Sequence, residues 1–311
     1  MTGQSPQVAI LLGTYNGAAF LAEQLDSLAA QSYPHWRLWV SDDGSTDDTL
    51  KILKDYQAKW GPDKLTFGPG PGQGFVQNFL SLTDNPEIAA DYYAWCDQDD
   101  IWLPGKLSRA ISQLAPGGQE KPALYGGRTI LVDRNNKEYG LSPLLNRRPP
   151  SFAHSLVQCI GGGNTMVFNR PARELVRVGS GLAPVSHDWW AYQVVSGVGG
   201  QVIYDEEPQI RYRQHGRNLY GSNQGWSARL ARLRRVVDGT FRQRNGRNLA
   251  ALSVVADRLT AASRRELEAF SNLRRADRPW QRWRQLKDSG IFRQGRGQQL
   301  ALKLAALMKQ V

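Results

Sequence analysis

Asp91-Tyr-Tyr-Ala-Trp-Cys-Asp-Gln-Asp-Asp-Ile-Trp102 is a short apolar, aromatic-rich segment that ends abruptly in the carboxylates of Asp97, Asp99 and Asp100. The apolar part predicts a buried strand. Three acids within four residues repel one another, and at the carboxyl end of a strand they face the crevice where α/β proteins bind ligands. A Mg²⁺ or Mn²⁺ ion would remove the repulsion, since such ions take carboxylate and phosphate oxygens as ligands. A solvated acidic turn is the alternative interpretation.

A second apolar segment, Leu38 to Val40, also runs into acids, in the stretch Ser41-Asp-Asp-Gly-Ser-Thr-Asp-Asp48. After Gly44, the polar side chains form a good helix start for the amphipathic stretch from Thr49 to Trp60. A strand that ends in acids and is followed by a helix is typical of a βα unit. The sequence therefore predicts two strands of one α/β sheet that both end in carboxylates.

The first βα unit begins earlier, with a strand from Val8 to Leu12 and a helical pattern from Ala18 to Gln31. The loop between them, Gly13-Thr-Tyr-Asn-Gly17, has neither the GxGxxG spacing of a dinucleotide fold nor the GxxxxGK[ST] pattern of a P-loop. Both of those nucleotide-binding classes are therefore excluded.

Together these segments resemble the family 2 glycosyltransferases, whose domain is a nucleotide-sugar-binding α/β fold of the GT-A type. Val8 to Asn16 looks like the opening strand and Thr-Tyr-Asn loop, Ser41 to Asp47 like the second acidic turn, and Asp97-Gln98-Asp99 like the metal-binding Asp-x-Asp element. Gly161 to Met166 is similar to the acceptor-side Gly-rich segment, and Ser186 to Trp190 to the segment that carries the catalytic base.

The resemblance covers about residues 6 to 222. Within the family the chain is similar to rhamnosyltransferase-like members of bacterial polysaccharide assembly, on the strength of Asp97 to Trp102, His187 to Trp190 and Tyr212 to Asn218. The implied architecture is a mixed, mostly parallel sheet flanked by helices over residues 1–222, followed by a basic helical C-terminal region over 223–311.

The resemblance also implies roles for particular side chains. Asp43 would accept a hydrogen bond from the nucleotide base and Asp97 would lie near the ribose, while Asp99 and His215 would hold Mg²⁺ or Mn²⁺ at the diphosphate. Arg213 and Arg217 would pair with phosphate oxygens, although a lone histidine in such a loop is usually structural. The remaining implied site residues fall into a nucleotide-binding group and a group that lines the acceptor side or orients the metal ligands: Thr14, Tyr15 and Asn16 in the first, and Asp100, Trp102, Gly163, Asn164, His187 and Trp190 in the second.

Asp188 matches the position of the family's general base, at the start of a predicted helix. The alternative is that Asp188 only caps that helix. His187 departs from the family's usual acidic residue at its position, so its expected role is a binding contact. Lys106 has two open interpretations, a contact to the diphosphate or a solvated residue on a helix. A single carboxylate base without a second carboxylate as nucleophile favours one displacement that inverts the anomeric centre.

The charge is concentrated near the C-terminus, because residues 225–311 contain 20 Lys and Arg against 6 Asp and Glu within a chain whose net charge is +11. Helical spacing is visible in Trp226 to Leu233, in Leu249 to Phe270 and in Gln298 to Val311, where Leu300, Leu304, Leu307 and Val311 are expected on a common face. Such a region can bind an anionic membrane surface or simply pack on the core with a solvated basic face. The lack of zinc-finger spacing or an aromatic RNA-binding motif argues against nucleic acid.

Two cysteines make no disulfide framework, and no signal-peptide pattern or membrane-spanning apolar run is present in the sequence. The expected location is the cytoplasm, either free or peripheral on the inner face of the cytoplasmic membrane. The expected function is transfer of a sugar, with rhamnose as one option, from a nucleoside-diphosphate sugar to a glycan or lipid-linked acceptor. A sugar-nucleotide-forming nucleotidyltransferase and a non-catalytic membrane- or polysaccharide-binding scaffold are the alternatives.

Overall fold

A seven-stranded mixed sheet forms the centre of the structure, a computed structural model that describes residues 5–118, 120–215 and 239–311. The strands in chain order are β1 (Val8–Thr14), β2 (Trp36–Asp42), β3 (Leu65–Pro69), β4 (Tyr92–Asp97), β5 (Ile101–Trp102), β6 (Ala123–Gly127), β7 (Ile130–Val132), β8 (Glu138–Leu141), β9 (Val167–Asn169), β10 (Gln201–Asp205) and β11 (Ile210–Arg213). The α-helices are α1 (Leu21–Ala29), α2 (Thr49–Trp60), α3 (Phe75–Asp84), α4 (Lys106–Leu114), α5 (Phe152–Ser155), α6 (Arg170–Val176), α7 (His187–Gly197), α8 (Thr240–Ser253), α9 (Ala261–Arg275), α10 (Pro279–Asp288) and α11 (Arg296–Leu307).

The large sheet has the order β10-β6-β9-β4-β1-β2-β3, and only β9 runs antiparallel to its neighbours. The predicted mixed, mostly parallel sheet is therefore confirmed. Gly13 of β1 lies opposite Asp97 of β4, and Thr14 lies opposite Asp42 of β2. The two acidic turns predicted from the sequence consequently meet at one edge of the sheet.

A second sheet of four short strands, in the order β5-β11-β7-β8, lies next to this edge. β5 directly follows the acidic turn after β4 and pairs antiparallel with β11. This pairing brings the loop after β11, which contains His215, to the turn that contains Asp99.

Both faces of the large sheet are covered by apolar side chains, as the alternation along β1 requires. Val8, Ile10 and Leu12 belong to the core under α1, α2 and α4. Ala9 and Leu11 belong to the opposite core, which contains residues of α3, α6, α7 and of the four helices described over residues 239–311. The C-terminal region thus shares a hydrophobic core with the sheet.

The C-terminal helices differ from the sequence prediction in two respects. The expected helix from Leu249 to Phe270 is divided between α8 and α9, because Thr260 caps α9 by accepting a hydrogen bond from the Ser263 N–H at 3.1 Å. Val311 lies beyond the end of α11 and is buried, whereas Leu300 and Leu304 are exposed, so the expected common face was wrong. The predicted domain boundary at residues 222 and 223 and the stretch from Trp226 to Leu233 lie outside the described residues.

Over residues 5–118, 120–215 and 239–311, no helix combines the length and the apolar character needed to cross a membrane.

Candidate functional site

Asp99 and His215 form a side-chain pair at the carboxyl edge of the large sheet. His215 Nε2 lies 2.7 Å from Asp99 Oδ2, and the side chains of His215 and Asp99 are 13% and 17% exposed respectively. The imidazole ring also stacks on Phe20 with ring centroids 5.0 Å apart, which fixes its plane. The two residues that the sequence predicts as metal ligands are therefore brought together.

Asp100 points the other way, into the protein, and is fully buried. One carboxylate oxygen accepts a hydrogen bond from the Asn164 side-chain amide, and the other accepts the Arg213 N–H at 3.3 Å. Burial raises the pKa of Asp100 well above its usual range, and repulsion from Asp99 and Asp97 adds to the effect. Asp100 and Asn164 consequently join the acidic turn to β11 and to the Gly-rich segment.

Arg213 is also buried, which bears on its predicted contact with phosphate. Its guanidinium pairs with Glu23 and donates to the carbonyl oxygens of Asp99 at 3.0 Å and Arg134 at 2.7 Å. These bonds make Arg213 a clamp for the acidic turn. Arg217, the other predicted phosphate contact, lies outside the described residues.

Asp97 ends β4 and lies between two other carboxylates. Burial raises its pKa above the usual range, and the negative charges of Asp99 and Asp188 raise it further. The Lys106 ammonium opposes this shift. A site that accumulates negative charge in this way favours a cation or a hydrogen-bond donor as its ligand.

Lys106, for which the sequence left open a diphosphate contact or a solvated position on a helix, is buried, so the solvated interpretation was wrong. Its side chain is fully buried, with Nζ 3.2 Å from the centroid of the Trp102 ring, and no hydrogen-bond partner for Nζ occurs among the described residues. Burial lowers the pKa of Lys106 to about 7, and the charges of Cys96, Asp100 and Asp97 oppose that shift. A lysine at the start of a helix is usually exposed to solvent. The helical pattern of the sequence therefore does not predict that Lys106 is buried.

The loop after β1 is held by Gln98, the middle residue of the Asp-Gln-Asp element. The Gln98 side chain accepts the Tyr15 N–H at 2.9 Å and donates to the Tyr15 carbonyl at 3.0 Å. A Cβ at Gly17 would lie 2.1 Å from Gln98 Oε1, so glycine permits this close approach. The ring of Tyr15 remains exposed toward solvent.

Thr14 and Asn16 connect the same loop to the second acidic turn. The Thr14 hydroxyl is buried and donates to Asp42 at 2.8 Å, while the Asn16 carbonyl oxygen accepts the Thr46 N–H at 2.8 Å. Asp42 also accepts the Ser45 N–H and hydroxyl. These two predicted nucleotide-binding side chains therefore shape the pocket wall through bonds within the protein.

Asp43 follows Asp42 and is half-buried. Its two carboxylate oxygens accept the N–H groups of Gly72 at 2.7 Å and Gly74 at 2.8 Å, two glycines with positive φ angles of 66° and 84°. Each carboxylate oxygen has a second lone pair, which can accept a further hydrogen bond. Asp43 therefore holds the loop of residues 72–74 next to β2. Its remaining lone pairs can still accept a hydrogen bond, for example from a nucleotide base.

Asp188 lies in the first turn of α7, and its carboxylate faces that of Asp97 closely enough to raise the Asp97 pKa. Oδ1 accepts the Ser186 hydroxyl and the Trp189 N–H, the latter at 2.7 Å. Among the described residues no donor contacts Oδ2. One oxygen is thus fixed by the protein and the other is available to a ligand.

The chain segment before Asp188 is held by the C-terminal region. Asn248 of α8 accepts the Val185 N–H at 3.0 Å, and Arg247 donates to the carbonyl oxygens of Ala183 at 3.2 Å and Pro184 at 3.0 Å. The sequence carries no local signal for these contacts, because the partners are 63 or 64 positions apart.

His187 is buried against aromatic rings. It stacks on Phe79 with centroids 4.3 Å apart and meets Trp95 edge-on at 4.7 Å. Burial lowers the pKa of His187 to about 4, with Asp188 acting in the opposite direction. A Cβ at Gly163 would lie 2.3 Å from His187 Nε2, so the Gly-rich segment needs glycine there to pack on the ring. His187 and Gly163 therefore form a wall behind Asp188.

Trp102 and Trp190, the other two predicted acceptor-side residues, are buried in the two cores. The Trp190 indole N–H donates to the Val176 carbonyl at 2.9 Å. Both rings therefore lie in the hydrophobic cores and not on the exposed surface of the site.

The donor set fits a hard divalent cation whose remaining ligands come from a substrate. No group of three or more His, Cys, Asp or Glu side chains suited to a metal occurs in the part of the chain that the structure describes. Asp99 and His215 supply two ligand atoms within reach of one another. Mg²⁺ is commonly bound through one or two carboxylates together with substrate phosphates.

Comparisons with known proteins show the family and the fold. The family model described as glycosyl transferase family 2 matches residues 9–174, more than half of the chain. The dTDP-rhamnosyl transferase RfbG of Shigella flexneri is 27% identical over 243 residues, which cover 75% of this chain and 81% of that protein. The resemblance to family 2 and to its rhamnosyltransferase-like members is thereby confirmed.

Two solved structures share the fold. S. aureus TarS 1-349 in complex with UDP-GlcNAc has a TM-score of 0.53 at 12% identity, over 92% of this chain and 93% of that one. The mannosyltransferase PcManGT from Pyrobaculum calidifontis, in complex with GDP-Man and Mn²⁺, has a TM-score of 0.50 at 17% identity, over 99% and 87%. The fold is therefore that of GT-A glycosyltransferases, and the chain belongs to glycosyl transferase family 2.

Proposed function

We propose that this glycosyltransferase moves a sugar from a nucleoside-diphosphate sugar to a hydroxyl group of a glycan or lipid-linked acceptor, with inversion at the anomeric carbon, during surface polysaccharide assembly on the cytoplasmic side. The observation that carries the proposal is that Asp97, the Asp99–His215 pair and Asp188 all meet at one edge of the sheet. The similarity to a dTDP-rhamnosyl transferase favours a deoxythymidine-diphosphate donor and rhamnose as the sugar.

The donor end of the cleft contains the residues suited to the nucleotide and its diphosphate. Asp43 would accept an N–H of the base and Asp97 a ribose hydroxyl, while Tyr15 is exposed beside them. Asp99 and His215 would hold a Mg²⁺ or Mn²⁺ ion, which when bound neutralises charge on the departing diphosphate. Gln98 bonds to the backbone of the loop after β1, and Arg213 bonds to the backbone of the acidic turn after β4, so these two side chains hold both segments in place.

Asp188 is suited to remove the proton from the acceptor hydroxyl. Hydrogen bonds from the Ser186 hydroxyl and the Trp189 N–H hold Asp188 Oδ1. These bonds limit rotation of the carboxylate, so the protein sets the direction in which Oδ2 points. The acceptor oxygen then forms the new bond to the anomeric carbon, the bond to the diphosphate breaks, and the proton stays on Asp188. Asp97, the other carboxylate at this site, is proposed to bind ribose and so does not serve as a nucleophile. Transfer would then take a single displacement, which inverts the anomeric carbon.

The first test is calorimetric titration of the full chain with UDP, dTDP and GDP, each with Mn²⁺, with Mg²⁺ and with EDTA. We expect tight, cation-dependent binding of dTDP. Failure of all three nucleotides to bind would overturn the proposal in favour of a non-catalytic scaffold.

The second test addresses the base. Asp188→Asn keeps the shape of the side chain and is expected to lower kcat by about 10² to 10⁴, the range typical of a general base, with nucleotide affinity unchanged. Asp257→Asn, at an exposed aspartate of a short 3₁₀ turn far along the chain, is the matched control. Full turnover by Asp188→Asn would remove Asp188 from the mechanism.

A further inference from the structure

Helix α11 has two apolar faces, and among the described residues only one of them packs in the hydrophobic core. Leu302, Ala305 and Ala306 are buried in the core. On the opposite side Leu300, Leu304 and Met308 are 60%, 49% and 55% exposed. These three residues are spaced four apart, so they form one continuous apolar row along the helix. Packing against the catalytic core does not account for this row.

Basic side chains lie on the same side of α11 as the exposed row. Arg296 is four residues before Leu300, and Lys303 is three residues after it; both are exposed. The sequence from 296 to 311 contains no aspartate or glutamate. The exposed side of α11 is therefore both apolar and uniformly positive.

Helix α10, which packs on α11, repeats this combination. Trp280 and Trp283 are 60% and 40% exposed, and Arg284 and Lys287 follow at helical spacing on the same side. Lys287 Nζ lies 5.3 Å from the centroid of the Trp283 ring. Asp288 lies 3.8 Å from Arg284 and leaves α10 with a basic balance.

We infer that this outward surface of α10 and α11 binds an anionic lipid membrane. Its apolar members are Trp280, Trp283, Leu300, Leu304 and Met308, and its basic members are Arg284, Lys287, Arg296 and Lys303. Tryptophan prefers the headgroup level of a bilayer, and long basic side chains extend toward lipid phosphates while their stems cover apolar surface. Each basic residue near an anionic surface strengthens binding about fivefold.

Charge also argues against a second copy of this chain as the occupant. A symmetric dimer through this surface would place the same basic residues of both copies close together, with little acidic charge to pair with them. An anionic membrane supplies the missing negative charge and an apolar layer at once. The inference is independent of the proposed reaction, because vesicle binding requires neither donor nor acceptor.

The test is co-sedimentation of the full chain with phosphatidylcholine vesicles that contain either no phosphatidylglycerol or about one third of it, the composition that gives a strong surface charge. We expect binding only to the anionic vesicles, weakened by salt. The triple variant Leu300→Gln, Leu304→Gln, Met308→Gln is expected to bind at least about tenfold more weakly. Replacing Arg284, Lys287, Arg296 and Lys303 by Gln should weaken binding by several hundredfold.

Val254→Gln is the matched control, since Val254 is 54% exposed but follows α8 and lies outside this surface. Circular dichroism and nucleotide titration of each variant separate loss of the surface from loss of the fold. Equal vesicle binding by the wild type and the triple variant would overturn the inference. Absence of vesicle binding together with a dimer in sedimentation velocity that the triple variant abolishes would assign the surface to a second copy instead.

Discussion

His215 Nε2 lies 2.7 Å from Asp99 Oδ2, although 116 positions separate the two residues. The pairing of β5 with β11 creates this contact, since it joins the turn after β4 to the loop after β11. Phe20 supports the imidazole on one side. The same contact provides the first prediction.

His215→Ala is expected to weaken cation-dependent nucleotide binding about 10- to 100-fold, because it removes one of the two proposed protein ligands while Asp99 remains. Titration of dTDP with Mn²⁺ and with EDTA measures this effect. His35→Ala, at an exposed histidine that contacts Tyr33, is the control. Unchanged cation dependence in His215→Ala would show that the ion, if one binds, is held elsewhere.

Gln98 and Gly17 are expected to behave as a coupled pair. Gly17→Ala forces a Cβ against Gln98 Oε1 and should disturb both bonds to Tyr15, which are worth about 1 kcal/mol each. Once Gln98→Ala is present, Gly17→Ala should cost little more. Urea unfolding of the single and double variants measures the coupling, expected at about 1–2 kcal/mol.

Gly68→Ala is the control for that cycle, because a Cβ at Gly68 meets no atom within 4 Å. Strict additivity of Gly17→Ala and Gln98→Ala would contradict the proposed contact.

Because Lys106 is buried, the free energy of unfolding is expected to rise as the pH goes from neutral to alkaline. Its folded pKa of about 7 lies below the unfolded value near 10.5, so between these values the unfolded chain holds a proton that the folded chain does not. Unfolding free energy should consequently rise by about 2 kcal/mol from pH 7 to pH 9 through this residue. Lys106→Met should lack that rise and be the more stable protein at pH 7.

The same substitution should weaken the donor site, since the Lys106 charge favours the ionised form of Asp97. Lys106→Met is therefore expected to bind dTDP and Mn²⁺ less tightly at pH 7 while gaining stability. Urea unfolding at pH 7 and 9, together with calorimetry, measures both effects. A pH-independent difference in stability from the wild type would mean that Lys106 does not titrate in this range.

His187 should make the fold sensitive to acid. Its folded pKa of about 4 lies below the unfolded value near 6.5, so its contribution is complete above about pH 6.5 and is lost as the pH falls toward 4. The stability difference between the wild type and His187→Asn should shrink by about 2 kcal/mol from pH 7.5 to pH 5. If the variant is too unstable to measure, the NMR titration of His187 in the wild type gives the answer, and a pKa near 6.5 would contradict the expected burial effect.

The sequence predicts the first half of the sheet well, because each element there has a local signal. The stretch from Thr49 to Trp60 is the observed α2, and the strand from Val8 is observed as β1. Polar capping residues and Gly61 mark the ends of α2, and continuous apolar runs mark the buried strands. The antiparallel β9 has no such signal, since it is only three residues long and follows a Gly-rich segment.

The candidate site divides in a similar way. Carboxylates at strand ends are visible in the sequence, so Asp97 and Asp99 can be identified from their place after an apolar run. The burial of Lys106, the bonds from Gln98 to the Tyr15 backbone and the direction of Asp100 depend on contacts between distant segments. Those contacts are set by tertiary packing, for which one sequence gives no pattern.

Asn248 and Arg247 hold the residues just before Asp188, and their helix shares the core with α7. The C-terminal helices and the segment that carries the proposed base are therefore joined by hydrogen bonds and by a shared hydrophobic core. A partner that binds the outer surface of these helices therefore also fixes the orientation of the cleft and its distance from that partner. Acceptors would then be selected partly by how far their reactive hydroxyl extends, a form of selection by distance that acts before any contact in the cleft.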